Sequence, residues 1–80
     1  MQLHKVVIDS KKIGSSTLAL ERSALDRLLT DWRGNQTAYT DYKGFLWLGD
    51  GEIVRETDYT ICLRPSHITT ITVDGTAITV

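Results

Sequence analysis

This chain holds one cysteine, one proline, one methionine and one phenylalanine, and none of its apolar runs approaches the roughly 18 residues a membrane helix needs. A single thiol excludes an intramolecular disulfide and favours a reducing compartment. Charge of one sign is also missing: nine Lys and Arg stand against ten Asp and Glu, for a formal net charge of −1. A global attraction to nucleic acid or to an anionic membrane is thereby removed, although a local patch can act against a neutral average. No apolar h-region follows Met1, so the expected address is the cytoplasm. Repeats, low-complexity tracts, Pro-rich linkers and charge blocks are absent. With 41% hydrophobic and 24% charged residues, the composition is that of a folded protein and argues against disorder. Eighty residues allow one domain, 1–80, near the size at which surface burial becomes thin. Structure is expected from within a few residues of Met1 to Val80, as in a complete small protein or a cleanly cut domain.

Ser23–Arg33 organises the rest. It places Leu25, Leu28, Leu29 and Trp32 at offsets 0, 3, 4 and 7, one stripe of an amphipathic helix. Ser23 is expected to cap the start, with Asp26 near the positive end of the helix dipole and Arg33 at the other end. Gly34-Asn35 supplies a residue that tolerates positive φ and stops the helix. Three turns are marginal alone in water, so the stripe must lie on something.

Everything else reads as strand. Gln2–Asp9, with Val6-Val7-Ile8, is the first; Ser10–Ser16 is loop, with Lys11-Lys12 solvated; Thr17–Leu20 alternates, with Leu18 and Leu20 on one side. After the helix, Thr37–Tyr42 is a strand that Lys43-Gly44 is expected to interrupt as a bulge or tight turn. Phe45–Leu48 and Glu52–Glu56 pair across Gly49-Asp50-Gly51, with Trp47 opposite Val54 and Phe45 opposite Glu56 if the turn has two residues. Thr57-Asp58 is a turn or bulge. Tyr59, Ile61 and Leu63 then alternate with Thr60, Cys62 and Arg64 until Pro65. Ile68–Val80 is the clearest hairpin, because Asp74-Gly75 favours a two-residue type I′ turn. It pairs Val73 with Thr76, Ile71 with Ile78 and Thr69 with Val80 on a core face, and leaves a threonine-lined face. The expected fold is α+β, in the order ββαβββββ with two strands open to fusion. One helix would lie on a strongly curved antiparallel sheet or a small half-open β-barrel of 5–7 strands.

Catalytic constellations are weak. His4 and His67 are the two histidines, Ser66-His67 are neighbours whose side chains diverge, and Cys62 sits in an alternating strand where a quiet thiol is the ordinary case. Scattered histidines and one cysteine match no zinc pattern, and Asp50-Gly51-Glu52 lacks the ligand ladder of a calcium loop. Neither an enzyme nor a metal or other cofactor is expected.

Lys43-Gly44-Phe45-Leu46-Trp47-Leu48 is similar to the RNP1 signature of RNA-recognition and cold-shock domains, in which a basic residue and glycine precede aromatics two apart on a strand. The resemblance implies a face where Phe45 and Trp47 stack on bases with Lys43 near the backbone. Leu46 departs from the small residue of the motif, Asp50 stands where another aromatic belongs, and a second helix is missing. Six of eighty residues carry the likeness, and no family is assigned on it.

The hairpin around residues 45–56 is apolar on both faces, and one helix covers one face only. The other face must enter a barrel interior, pack on loops or meet another molecule. Tyr42, Phe45, Trp47, Arg55 and Tyr59 are the candidate contact residues, being the types that anchor interfaces. The segment Thr76–Val80 carries neither charge nor proline, the devices that blunt an edge strand, so a homodimer paired through 76–80 is a further expectation. The functional expectation is a non-enzymatic protein–protein interaction module, by analogy of size and composition a phage or plasmid accessory protein or an inhibitor of host machinery. The alternatives are a single-stranded nucleic-acid binder using Lys43, Phe45, Trp47 and Arg55, and a small self-assembling structural subunit.

Overall fold

The computed structural model describes residues 2–47 and 53–79, with the side chains of 53–56 left aside. Six antiparallel strands form one sheet that is not closed, with one helix on it: β1 (Leu3–Ser10), β2 (Gly14–Glu21), α1 (Arg22–Arg33), β3 (Thr40–Trp47), β4 (Ile53–Leu63), β5 (Ile68–Val73) and β6 (Thr76–Ile78). The strand order is β4-β3-β2-β1-β5-β6, so every neighbour is a chain neighbour except β1 and β5. A short 3₁₀ turn, Pro65–His67, makes the corner between β4 and β5. Fusion of the two strands expected on either side of Thr57-Asp58 gives β4 its 11 residues. The sheet is open and antiparallel with one helix, as the α+β expectation has it, and the short link from β4, at one edge, to β5, beside β1, brings those distant strands together at this corner.

Strand parity decides which side is covered. Val6 and Ile8 of β1, Leu18 and Leu20 of β2, Tyr42 of β3, Ile61 and Leu63 of β4 and Ile71 of β5 all turn toward the helix, where Leu25, Leu28 and Trp32 meet them. Leu29 packs at the margin of this core. Each large aliphatic side chain removed from water here contributes about 1.5–3 kcal/mol relative to exposure. The Trp32 indole N–H donates to the Ile68 carbonyl at 3.2 Å, which fastens the last turn of the helix to the start of β5.

Helix boundaries differ from the sequence reading at the N-terminus. The helix begins at Arg22, Glu21 occupies the cap position, and no side chain caps it. Ser23 is not the cap because β2 runs directly into α1 and leaves no loop in which a serine could precede the first turn. Asp26 instead pairs with Arg22 one turn back, at 3.1 Å. The C-terminus follows expectation. Gly34, Asn35 and Gln36 donate their N–H groups to Thr30, Trp32 and Asp31 carbonyls, and Asn35 takes the positive φ of 54°.

Three strand expectations also change. The Ser10–Ser16 loop contracts to residues 11–13, because β1 and β2 stay paired out to Ser10 and Gly14. The strand expected from Thr37 starts at Thr40, and Lys43-Gly44 does not interrupt it. Gly44 lies where β3 crosses β2 so closely that a Cβ would overlap the Ala19 carbonyl oxygen. Finally, the β3–β4 register sets Trp47 opposite Ile53 and Leu46 opposite Val54, then jumps so that Phe45 faces Asp58. Trp47 with Val54 and Phe45 with Glu56 are not partners, because the irregularity falls inside β4 rather than at Gly44. The turn Gly49-Asp50-Gly51, with Leu48 and Glu52, lies outside the described residues.

The β5–β6 hairpin has the expected pairs Val73 with Thr76 and Ile71 with Ile78, with Thr72 opposite Ala77 between them. Asp74 and Gly75 both have positive φ, 50° and 85°, as a type I′ turn requires. Thr69 leaves the core face: a register shift between Asp9 and Ser10 turns it outward, and its hydroxyl donates to the Asp9 carbonyl. The pairing with Val80 falls outside the described residues.

Asp74 does more than turn the chain. Its carboxylate accepts hydrogen bonds from His4 Nδ1 at 2.8 Å and from the Lys5 backbone N–H at 3.0 Å, binding the hairpin to the start of β1. The His4 bond first, then the Lys5 bond, hold the Asp74 carboxyl below its ordinary value of 3.8. A depressed folded-state value adds stability above the unfolded-state value, and that stability is lost as the pH falls through the folded one. Asp74→Asn keeps a residue suited to positive φ and removes only the charge. The variant is expected to melt below the wild type at pH 6, with the gap closing as the pH falls through the lowered folded-state value of Asp74; a gap that persists unchanged into acid would place the effect elsewhere.

Candidate interaction face

The sheet side away from the helix carries the candidate site. On it β1 presents Leu3, Lys5 and Val7, β2 presents Thr17 and Ala19, and β3 presents Lys43, Phe45 and Trp47 by the same alternation that sends Tyr42 inward. Ala19 is fully buried, while Leu3, Val7, Phe45 and Trp47 are half-buried. The Lys5 ammonium stands 5.3 Å from the centre of the Trp47 ring, a cation–π distance that ties β1 to β3 across β2. Beside Phe45 lies a shallow groove of about 340 Å³ lined by Glu21, Lys43, Gly44, Phe45, Asp58 and Thr60.

Of the residues singled out in the sequence, Phe45, Trp47 and Lys43 come together on this face. Tyr42 and Tyr59 do not. Tyr42 is 1% exposed, its hydroxyl donating to Asp31 Oδ2 at 2.6 Å and its ring 5.2 Å from the Arg27 guanidinium. Burial first, then the Asp31 hydrogen bond, raise its phenol well above the ordinary range. Tyr59 pairs with Gly44 and packs against the helix-side core. Both tyrosines sit on the opposite strand parity from Phe45 and Trp47, which removes them from a shared docking surface. The Arg55 side chain lies outside the described residues.

Cys62 is exposed on the helix-free side, opposite Asp41 in the ladder. The hydrogen bond to Asp41, with some burial and the negative charge, raises the Cys62 thiol above its ordinary value, the reverse of what a nucleophilic thiolate needs. Among the described residues no group of three or more His, Cys, Asp or Glu is placed to hold a metal ion, and no helix is long and apolar enough to cross a membrane.

No known family, curated protein or solved structure matches this chain.

Proposed function

We propose that the chain is a non-enzymatic protein-interaction module that docks through the helix-free side of its sheet. The observation that carries this reading is the pair of large rings, Phe45 and Trp47, held half-covered beside Leu3, Val7 and Ala19 on a side that no helix among the described residues packs against. Finishing the burial of such rings contributes favourably to association. The surrounding charges are mixed, with Lys5 and Lys43 set among Glu21, Asp41 and Asp58. A rim of both signs suits another protein surface. It opposes a polyanion, whose affinity rests on phosphates meeting cations without competing carboxylates.

The test is affinity capture with the wild type, Trp47→Ala, Phe45→Ala and a helix-surface control, Thr30→Ala, each confirmed folded by circular dichroism. A partner retained by the wild type and the control, lost from both ring variants and then bound in purified form, supports the reading. Equal recovery by all four proteins sinks it. So does quenching of tryptophan emission by a single-stranded oligonucleotide at low salt, which would move the face to nucleic acid.

A further inference from the structure

Two large hydrophobic side chains stand out as exposed among the described residues, Ile13 at 51% and Tyr39 at 65%, and both line one small groove. Its walls come from four separate segments: the β1–β2 turn, the stretch before β3, the end of β4 and the 3₁₀ corner. The groove has a volume of about 60 Å³ and shares no lining residue with the groove beside Phe45, lying further along β3 and β4, where Cys62 pairs with Asp41 rather than where Phe45 pairs with Asp58.

Its charge is of one sign. Lys12 and Arg64 are its charged lining residues, and among the described residues no carboxylate lines it, although Asp41 is hydrogen-bonded to the lining Cys62. Among the described residues neither Lys12 nor Arg64 forms an ion pair. The Arg64 guanidinium lies 4.4 Å from the centre of the Tyr39 ring. A guanidinium stacked by its face keeps its in-plane N–H groups free for a bidentate carboxylate. In a chain of net charge −1, this is a local cationic patch set into apolar walls.

The walls are tied together beforehand. Lys11 N–H donates to the His67 carbonyl, Lys12 N–H to Ser10 Oγ, and Ser66 N–H to the Gln36 carbonyl. The Gln36 side chain in turn accepts from Thr37 and Ala38, which holds the approach to Tyr39. A groove fixed in this way loses little freedom when it is filled.

We propose that this groove binds a short acidic peptide segment of a partner protein, with a carboxylate on Arg64 and Lys12 and a neighbouring aliphatic side chain between Ile13 and Tyr39. An extended nucleic acid is the poorer occupant, because its affinity grows with the number of phosphates neutralised and only a few cations gather here. The groove uses none of the residues Lys43, Phe45 and Trp47, so either proposal can fail alone.

Fluorescence anisotropy tests it with a labelled hexapeptide of alternating glutamate and leucine, a lysine–leucine counterpart and a thymidine 12-mer. The expected result is saturable, salt-sensitive binding of the glutamate peptide. Arg64→Gln and Tyr39→Ala should weaken it by about tenfold or more, on the scale of a lost charge-assisted hydrogen bond. Arg64→Lys should fall between, and Trp47→Ala should bind as the wild type does. Both groove residues are exposed, so circular dichroism should show every variant folded. Absent saturation, equal binding of the lysine peptide, preference for the oligonucleotide, or indifference to Arg64→Gln and Tyr39→Ala would each overturn the proposal.

Discussion

Gly44→Ala is expected to destabilise the protein by more than about 3 kcal/mol, beyond the usual range for one overpacked methyl group. The added carbon would overlap the Ala19 carbonyl oxygen and come within 2.7 Å of Leu20 Cδ2. The first obstacle is backbone, so no side-chain rotation relieves it. Relief requires β3 to move off β2, and among the described residues those strands share the register pairs Leu18 with Leu46 and Ala19 with Phe45. Losing that short ladder would free the β3–β4 hairpin from the rest of the sheet. For an 80-residue domain, total stability is on the order of 4–12 kcal/mol, so much of it would go. Urea unfolding measures the loss, and hydrogen exchange at the Phe45 and Leu46 amides locates it. A variant within about 1 kcal/mol of wild type would show that the close crossing tolerates a side chain.

The second large effect belongs to Trp32. Trp32→Ala removes the largest side chain on the buried helix stripe and leaves the Ile68 carbonyl without its indole donor. Truncations of this kind cost about 3–5 kcal/mol. Trp32→Phe keeps most of the volume and loses the hydrogen bond, so it should cost clearly less, with about 0.5–1.5 kcal/mol from the bond itself. The pair of variants separates packing from tethering. Equal losses in both would assign the effect to the hydrogen bond rather than to the filled core.

Much of this architecture was legible because it depends on local periodicity. The 3-4-7 spacing of Leu25, Leu28, Leu29 and Trp32 marks the helix, and Asp74-Gly75 marks its hairpin, down to the partner pairs. Period-two alternation puts Phe45 and Trp47 on one side. The same parity, counted back three residues to Tyr42, sends that ring to the other side and should have removed it from the candidate contacts. Gly44 was read as a break because its reason is not local: it answers to Ala19, 25 residues earlier and one strand away. The register of β4 failed on a similar ground, since the jump from Asp58 to Val54 follows from the irregularity beside Phe45 and not from the turn. The Tyr39–Arg64 groove was invisible in the sequence. It exists only once the sheet's coil brings the β1–β2 turn to the far end of β4.

The position of β1 has a consequence for how the molecule is made. The strand lies between β2 and β5, so one of its two flanks is filled by residues that begin at Ile68. A polypeptide emerging from the ribosome can zip β1 to β2 at once, yet the rim along Val6-Val7-Ile8 stays bare through about the next sixty residues of synthesis. An uncovered strand of that composition is a template for unwanted cross-chain pairing, so translational pauses before codon 68 should raise the yield of aggregated product.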